Sequence, residues 1–447
     1  MHHPARLWQR AALVSVSPRP LPRSLALLLG LCCGVGALVL LDVASRRVSS
    51  AGRVELPHVA ALVPPAEGPA LPPLQPLQAT ECPLVPVDAA WLAVAPPTAA
   101  VLPHTPKSLE TRVKLWSQVW GEVSERHTLL VDGRRPWVTY ADVDCSDLYE
   151  WGDPKFAQDR CGERVTTAKK KATAALKKGW WQADTLRLYA GNQLLARTSW
   201  QNLIGVRGRK EALGRAKERA REQLDQAEGL YTLQGVPRLY ARAAIVESLW
   251  RPEALSRSGA AGVLQFMPKT SKEYLLVKEG VVDERLDPLR SSWAAARYLS
   301  DMNKQLKSWP LTLTAFNTGP ARMKRVMKIR HSADLGQIAN AGDIGEYGFD
   351  GQNYYAQIVA IARLTKDEVF PLHTYTGRTL KLAKAVPLSD LALCTQTTTA
   401  ELLAHNPALL APIRNGVVDV PAGYVLQAPD DGARTASVAA PLSPSLQ

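Results

Sequence analysis

ESLWRPEALSRSGAAGVLQFMPKT, residues 247–270, sets one carboxylate near the end of a helical pattern and follows it with a tight loop of small residues. The pattern runs over 238–250, behind Pro237 at a favoured first-turn position and ahead of Pro252, which restricts the residue before it. On such a helix the neighbours of Glu247 three, four and seven positions back are Ala244, Ala243 and Tyr240. A solvated glutamate belongs on a polar face. This one lies on an apolar face, where partial burial raises a carboxyl pKa. A carboxylic acid still protonated near neutral pH is what general-acid cleavage of a glycosidic bond requires. A lone glutamate more often caps a helix or pairs with a base, so the loop has to add its own weight. Gly259, Ala260, Ala261 and Gly262 let another chain approach the backbone, and Gln265 offers a donor and an acceptor to an N-acetyl sugar. Each has a structural alternative: helix–helix packing for the small residues, a buried backbone partner for Gln265.

Outward from this stretch the periodicity stays helical. It predicts one long amphipathic helix over 209–234 and further helices over 268–278, 291–307, 310–316, 321–329 and 353–366, with no strand between them. The unit at 206–370 is therefore expected to be all-α. Upstream, 111–205 reads as a small α+β module. RVKLWSQVW places Val113, Trp116 and Trp120 on one stripe, and TLLVDGRRPWVTYADVD reads as a β-hairpin about Asp132 and Gly133. Helical patterns follow over 163–178 and 181–199. Downstream, 371–430 suggests a strand, two short helices and a strand, and 431–447 a disordered tail.

The length of 447 residues suits two or three folded units, and 46% hydrophobic against 21% charged residues is enough for a sizeable core. The net charge of +13 is concentrated in KKKATAALKK (169–178) and RGRKEALGRAKERAR (207–221). Leu213, Ala216 and Ala220 recur at helical spacing in the second stretch, so its basic residues form one solvated face. No nucleic-acid motif accompanies the charge, so no nucleic-acid partner is expected. A carboxylate-rich wall polymer is compatible with it. The cysteines form no CxxC pair, so neither a zinc site nor a thioredoxin-like motif is supported. Cys145 and Cys161 could form a disulfide in an oxidising compartment or remain thiols.

Residues 1–24 carry Arg6, Arg10, Arg19 and Arg23 and precede LALLLGLCCGVGALVLL (25–41), which holds no charge. The segment 25–44 reads as a membrane anchor with a cytoplasmic N terminus, or as a cleaved signal; either exports the rest. Thirteen of the 33 prolines fall between Pro57 and Pro106. Residues 45–110 therefore read as a semi-extended linker.

Glu247-Ser248, Pro252, Ser256, Gly259-Ala260, Gly262, Gln265, Met267-Pro268 and Thr270 resemble, in type and spacing, the catalytic signature of the lytic transglycosylases. The resemblance continues in DERLDP (283–288), AAARYL (294–299) and WPLTLTAFNTGPARM (309–323), the last similar to the family's Ala-Tyr-Asn-x-Gly element. GLYTLQGVPRLYARAAIVES (229–248) resembles the lead-in of the family's membrane-bound D branch. So many fixed spacings are a specific signal, and they cover 206–366. Two positions depart from the pattern. Phe316 stands where the family has tyrosine, and YGFDGQNYYAQIVAI (347–361) leaves Asp350 where the family commonly has glutamate.

The resemblance implies a mainly α protein with a lysozyme-like catalytic domain that cleaves peptidoglycan glycan strands. Glu247 would be the single acid and then base, forming a 1,6-anhydro-muramyl end. Ser256, Gln265 and Met267 would line the sugar groove, with Phe316 and Asn317 opposite, Tyr354 beside the acid, and Asp350 as a possible second carboxylate. No metal or organic cofactor is implied. Alternatives are a hydrolytic muramidase on the same fold and an inactive wall-binding scaffold. TTTAELLAHNPAL (397–409) and VPAGYVLQAP (420–429) resemble a LysM-like module, with Gly377-Arg378-Thr379 near its opening. The implied setting is the periplasm, with the membrane engaged through the N-terminal segment.

Overall fold

The computed structural model describes residues 82–87, 102–150, 152–178, 186–187, 189, 191–341, 347–368 and 377–429. The segment expected to meet the membrane at 25–44 and the tail from 431 lie outside these residues. Among the described residues no helix is long and apolar enough to cross a membrane.

Helix α1 (Glu110–Gly121) buries Val113, Trp116 and Trp120 on the stripe read from sequence. The hairpin follows, with β2 (His127–Asp132) antiparallel to β3 (Arg135–Asp144). Helix α2 (Pro154–Lys177) begins earlier than its pattern suggested, because Asp153 caps it by accepting from the Lys155 N–H and Pro154 opens the first turn. The Cys145–Cys161 disulfide ties the end of β3 to this helix. Within the stretch 181–199, which suggested one helix, the described residues include α3 (Gln193–Thr198), capped by Asn192. A strand the pattern did not announce, β4 (Leu203–Arg207), then completes the sheet in the order β3-β2-β4.

The expected helix over 209–234 is two helices, α4 (Lys210–Ala220) and α5 (Leu224–Leu233). No proline or glycine breaks it. The halves serve different partners: α4 packs on α1, whereas α5 packs on the later helix α8 and on a 3₁₀ turn at Arg238–Arg242. That turn leads into the short α6 (Ala243–Ser248). The helix expected over 268–278 ends early as α7 (Pro268–Ser271). A small hairpin follows, β5 (Val277–Lys278) with β6 (Val282–Asp283), so the unit is not free of strands. Gly280, at φ +69, makes that reversal possible.

Four helices follow: α8 (Pro288–Leu306), α9 (Trp309–Thr318), α10 (Pro320–Arg330) and α11 (Leu335–Asn340), the last one absent from the sequence reading. Asp287 caps α8 by accepting from the Leu289 and Arg290 N–H groups. Helix α12 (Phe349–Thr365) runs through the middle and packs along α1. One hydrophobic core joins α1 to α4–α6, α8, α9 and α12. Buried Arg112 of α1 fixes the join by donating to Asn340 Oδ1 (2.9 Å), Asn353 Oδ1 (3.0 Å) and the Ala339 carbonyl (2.9 Å). Thus α1 packs with the helical unit, and so does one face of the sheet through Leu129, Val131 and Val206, while the other face and α2 share a small core around Leu130, Val143 and Cys145.

The C-terminal part runs β7 (Arg378–Leu382), α13 (Leu388–Thr395), α14 (Thr399–His405), α15 (Ala411–Arg414) and β8 (Val425–Ala428), with β7 and β8 antiparallel. Its other sheet edge is covered by β1 (Leu84–Pro86), from the stretch expected to be linker, and Cys82 is disulfide-bonded to Cys394. Covering that edge removes unpaired backbone groups that invite association. The part is docked on the helical unit through Val282, which lies in its core, and through the Asp283 N–H to the Ala408 carbonyl at 2.9 Å. The Arg290 guanidinium sits 4.8 Å from the Tyr424 ring centre.

Candidate active site

Glu247 stands one residue before the end of α6, and the chain turns away at once. Leu249 and Trp250 both adopt left-handed backbone, φ 58 and 56. Each such non-glycine residue costs roughly 1–2 kcal/mol, so the turn must be held from outside. Wholly buried Trp250 anchors it, and Arg219 Nε donates to the Leu249 carbonyl at 2.8 Å. Ser248 fastens the helix end to the following loop: its Oγ donates to the Val263 carbonyl (2.9 Å) and accepts from the Arg251 N–H (3.0 Å).

The Glu247 side chain is partly exposed, yet its carboxyl is surrounded by protein. Tyr354 of α12 donates to Oε1 at 2.7 Å. Burial pushes the Glu247 pKa up from 4.5 to about 7, and the Tyr354 hydrogen bond opposes that rise. Tyr354 is itself held well above its ordinary value, by burial first and by Glu247 beside it, so it stays a donor. Tyr231 of α5 is wholly buried, and among the described residues its hydroxyl has no hydrogen-bond partner. Burial and the Glu247 charge both raise its pKa. The sequence reading missed Tyr231, since nothing in the local pattern separates it from a core aromatic.

The loop after Trp250 folds back on itself through bridges Leu255↔Ala261 and Ala261↔Phe266. Ser256 Oγ accepts from the Ala260 N–H at 2.9 Å and meets Ser258 Oγ at 3.0 Å. Gln265, at φ 50, spends its amide N–H groups on the Gly262 (2.9 Å) and Ala254 (3.2 Å) carbonyls. Its backbone-bound alternative is therefore present, with the amide oxygen left over as an acceptor. Arg285, paired with Asp283 at 2.7 Å, clamps the loop by donating to the Gly259 (2.8 Å) and Phe266 (3.2 Å) carbonyls.

Phe266 connects this loop to α9 through an edge-on contact with Phe316 at 5.8 Å, and Tyr298 meets Phe316 at 5.9 Å. Phe316 is partly buried in that aromatic wall, whereas Asn317, Met267 and Leu255 are exposed. Leu255 was not singled out by the sequence. Asp350 is exposed in the first turn of α12, one turn before Tyr354, and its charge bears on Arg209. The Glu247 shift arises from burial and Tyr354 without it.

If the Tyr354 hydrogen bond holds the Glu247 pKa down, Tyr354→Phe should let it rise further. A charge-assisted hydrogen bond is worth about 1.5–3 kcal/mol, equivalent to at least a tenfold change in proton affinity. A reaction that needs the protonated acid should then persist to higher pH in the variant. A kcat/KM profile whose alkaline limb moved to lower pH instead would contradict this geometry.

A single helix-borne acid, its pKa raised to about 7 by burial, stands beside a loop clamped onto a mainly helical core. Residues 229–337 match the family described as the transglycosylase SLT domain. It is 36% identical over 85 residues to membrane-bound lytic murein transglycosylase D of Escherichia coli (strain K12), covering 19% of each chain. It is 29% identical over 106 residues to membrane-bound lytic murein transglycosylase F of Ectopseudomonas mendocina (strain ymp), covering 22% of this chain and 20% of that one. It is 28% identical over 151 residues to peptidoglycan transglycosylase gp16 of Escherichia phage T7, covering 33% of this chain and 11% of that one. The matched stretch thus spans about a fifth or less of these relatives.

Proposed function

We propose that the chain is a peptidoglycan lytic transglycosylase that cleaves the β-1,4 bond between N-acetylmuramic acid and N-acetylglucosamine and leaves a 1,6-anhydro-muramyl end. The observation that carries this reading is Glu247, with its pKa raised to about 7 and Tyr354 on Oε1, inside the SLT-matched segment. Protonated Glu247 gives its proton to the glycosidic oxygen as the bond to the anomeric carbon breaks. The resulting carboxylate takes the proton of the muramyl C6 hydroxyl, whose oxygen bonds to the anomeric carbon. The acid is thereby regenerated, and no water is consumed.

Hydrolytic glycosidases generally use two carboxyl groups about 5–9.5 Å apart. The Glu247 shift is explained by burial and Tyr354 alone, which favours the one-carboxyl route. On this reading Ser256, Gln265 and Met267 line one side of the sugar groove and Phe316 and Asn317 the other. Ser256 acts largely by holding its loop. The part at 377–429, with three short helices between β7 and β8 where two were expected, serves as a LysM-like wall-binding module, and the enzyme works in the periplasm, exported by residues 25–44. Digestion of purified sacculi followed by mass spectrometry of the fragments tests the reaction. Anhydro-muramyl ends support it; reducing muramic acid ends would identify a hydrolase, and undigested sacculi would refute both.

A further inference from the structure

The two basic stretches part company once folded. Those of 207–221 are largely occupied: Arg215 pairs with Glu125 at 2.6 Å, Lys217 with Glu368 at 2.7 Å, and Arg219 holds the Leu249 carbonyl. The lysines at the end of α2 are different. Lys169, Lys170, Lys171 and Lys178 are exposed and meet no carboxylate among the described residues, while Lys177 sits over the Trp200 ring at 4.2 Å. The opposite face of the helix is fixed to the sheet by Val165, Ala168, Ala172 and Leu176. The ridge is therefore presented rigidly. Lys170 and Lys177, like Lys171 and Lys178, stand seven residues apart, about 10 Å along the axis.

We propose that this lysine ridge is a docking surface for the carboxylate-bearing peptides of the cell-wall mesh, holding the enzyme on its polymer at a place away from Glu247. Uncompensated lysines beside one another repel, and an anionic partner relieves that repulsion. The partner is a hydrated polyanion rather than a bilayer. The residues between the lysines are Ala and Thr apart from buried Leu176, and the nearest large exposed apolar side chain on this helix is Phe156, at its other end. Helices that lie on membranes insert a broad apolar face. The inference rests on the proposed wall substrate.

The test uses the full chain carrying Glu247→Gln, so that it binds sacculi without cutting them, with and without Lys→Ala at 169, 170, 171 and 178. Co-sedimentation with sacculi should weaken about tenfold in the quadruple variant, the summed loss of four exposed, individually weak pairs. Salt should weaken the parent more than the variant. Sacculi stripped of peptides by an amidase should abolish the difference. With Glu247 restored, cleavage of short peptide-free glycans should be unchanged by the four substitutions. Equal sedimentation of both proteins on intact sacculi would overturn the proposal. So would a loss confined to vesicles of anionic phospholipid, which would assign the ridge to a membrane. Failure of the wild-type chain to release fragments from sacculi would instead refute the reaction, and is read separately.

Discussion

Glu247→Gln should remove nearly all release of muramyl fragments from sacculi while leaving the fold intact. The amide nearly matches the carboxyl in shape and can still accept from Tyr354, but it has no proton to give. General acid–base catalysis contributes about 10²–10⁴-fold, and on the proposed route one group carries both halves of it. The substitution also has a stability signature. Folded Glu247 binds its proton up to about pH 7, against an ordinary value of 4.5. The folded state thus holds a proton that the unfolded chain releases between those values. That contribution favours folding at low pH and is lost as pH rises through 7, where a charge must be kept buried. The glutamine variant lacks the dependence, so above pH 7 it should be at least as stable as the wild type. A variant retaining half the wild-type rate would show that Glu247 is not the acid.

The environment of this acid was legible because it is local. Ala243, Ala244 and Tyr240 share its helix, and the helical period alone puts them beside it. The partner that fixes the carboxyl is not local: Tyr354 lies 107 residues away and was reached through family resemblance only. Tyr231, whose pKa the Glu247 charge also raises, had no such pointer. The same division holds for the fold. Asp287 with Pro288 carries a cap signal for α8 that the reading of 291–307 passed over, whereas nothing near Arg221 announces the break between α4 and α5, which answers to different packing partners. Least legible was the strand β1. A proline-rich composition reads as linker, and the bond from Cys82 to Cys394 spans 312 residues. In the loop, residue chemistry left Gln265 open between sugar and backbone, and its donors go to the backbone.

Gly262→Ala should unfold the loop that Ser248 and Arg285 hold in place, and it separates two costs that glycine usually hides together. At φ +78 an alanine meets the left-handed penalty of about 1–2 kcal/mol. Its Cβ would also lie 1.6 Å from the Arg285 carbonyl oxygen, a backbone atom that no rotamer change can move. Relief requires the segment at 283–287 to retreat, which breaks the Arg285 hold on Gly259 and Phe266 and disturbs the Asp287 cap of α8. Gly235 supplies the comparison. It has φ +66 with nothing within 4 Å of an added Cβ, so Gly235→Ala bears the backbone cost alone. Denaturant unfolding should therefore show a loss of about 1 kcal/mol for Gly235→Ala and at least about 3 kcal/mol for Gly262→Ala, since overpacking adds a further 1–3. Only the second should also lose activity on sacculi, because only it displaces the loop fastened to the helix of Glu247. Equal losses in the two variants would mean that the close approach between Gly262 and Arg285 does not exist in solution.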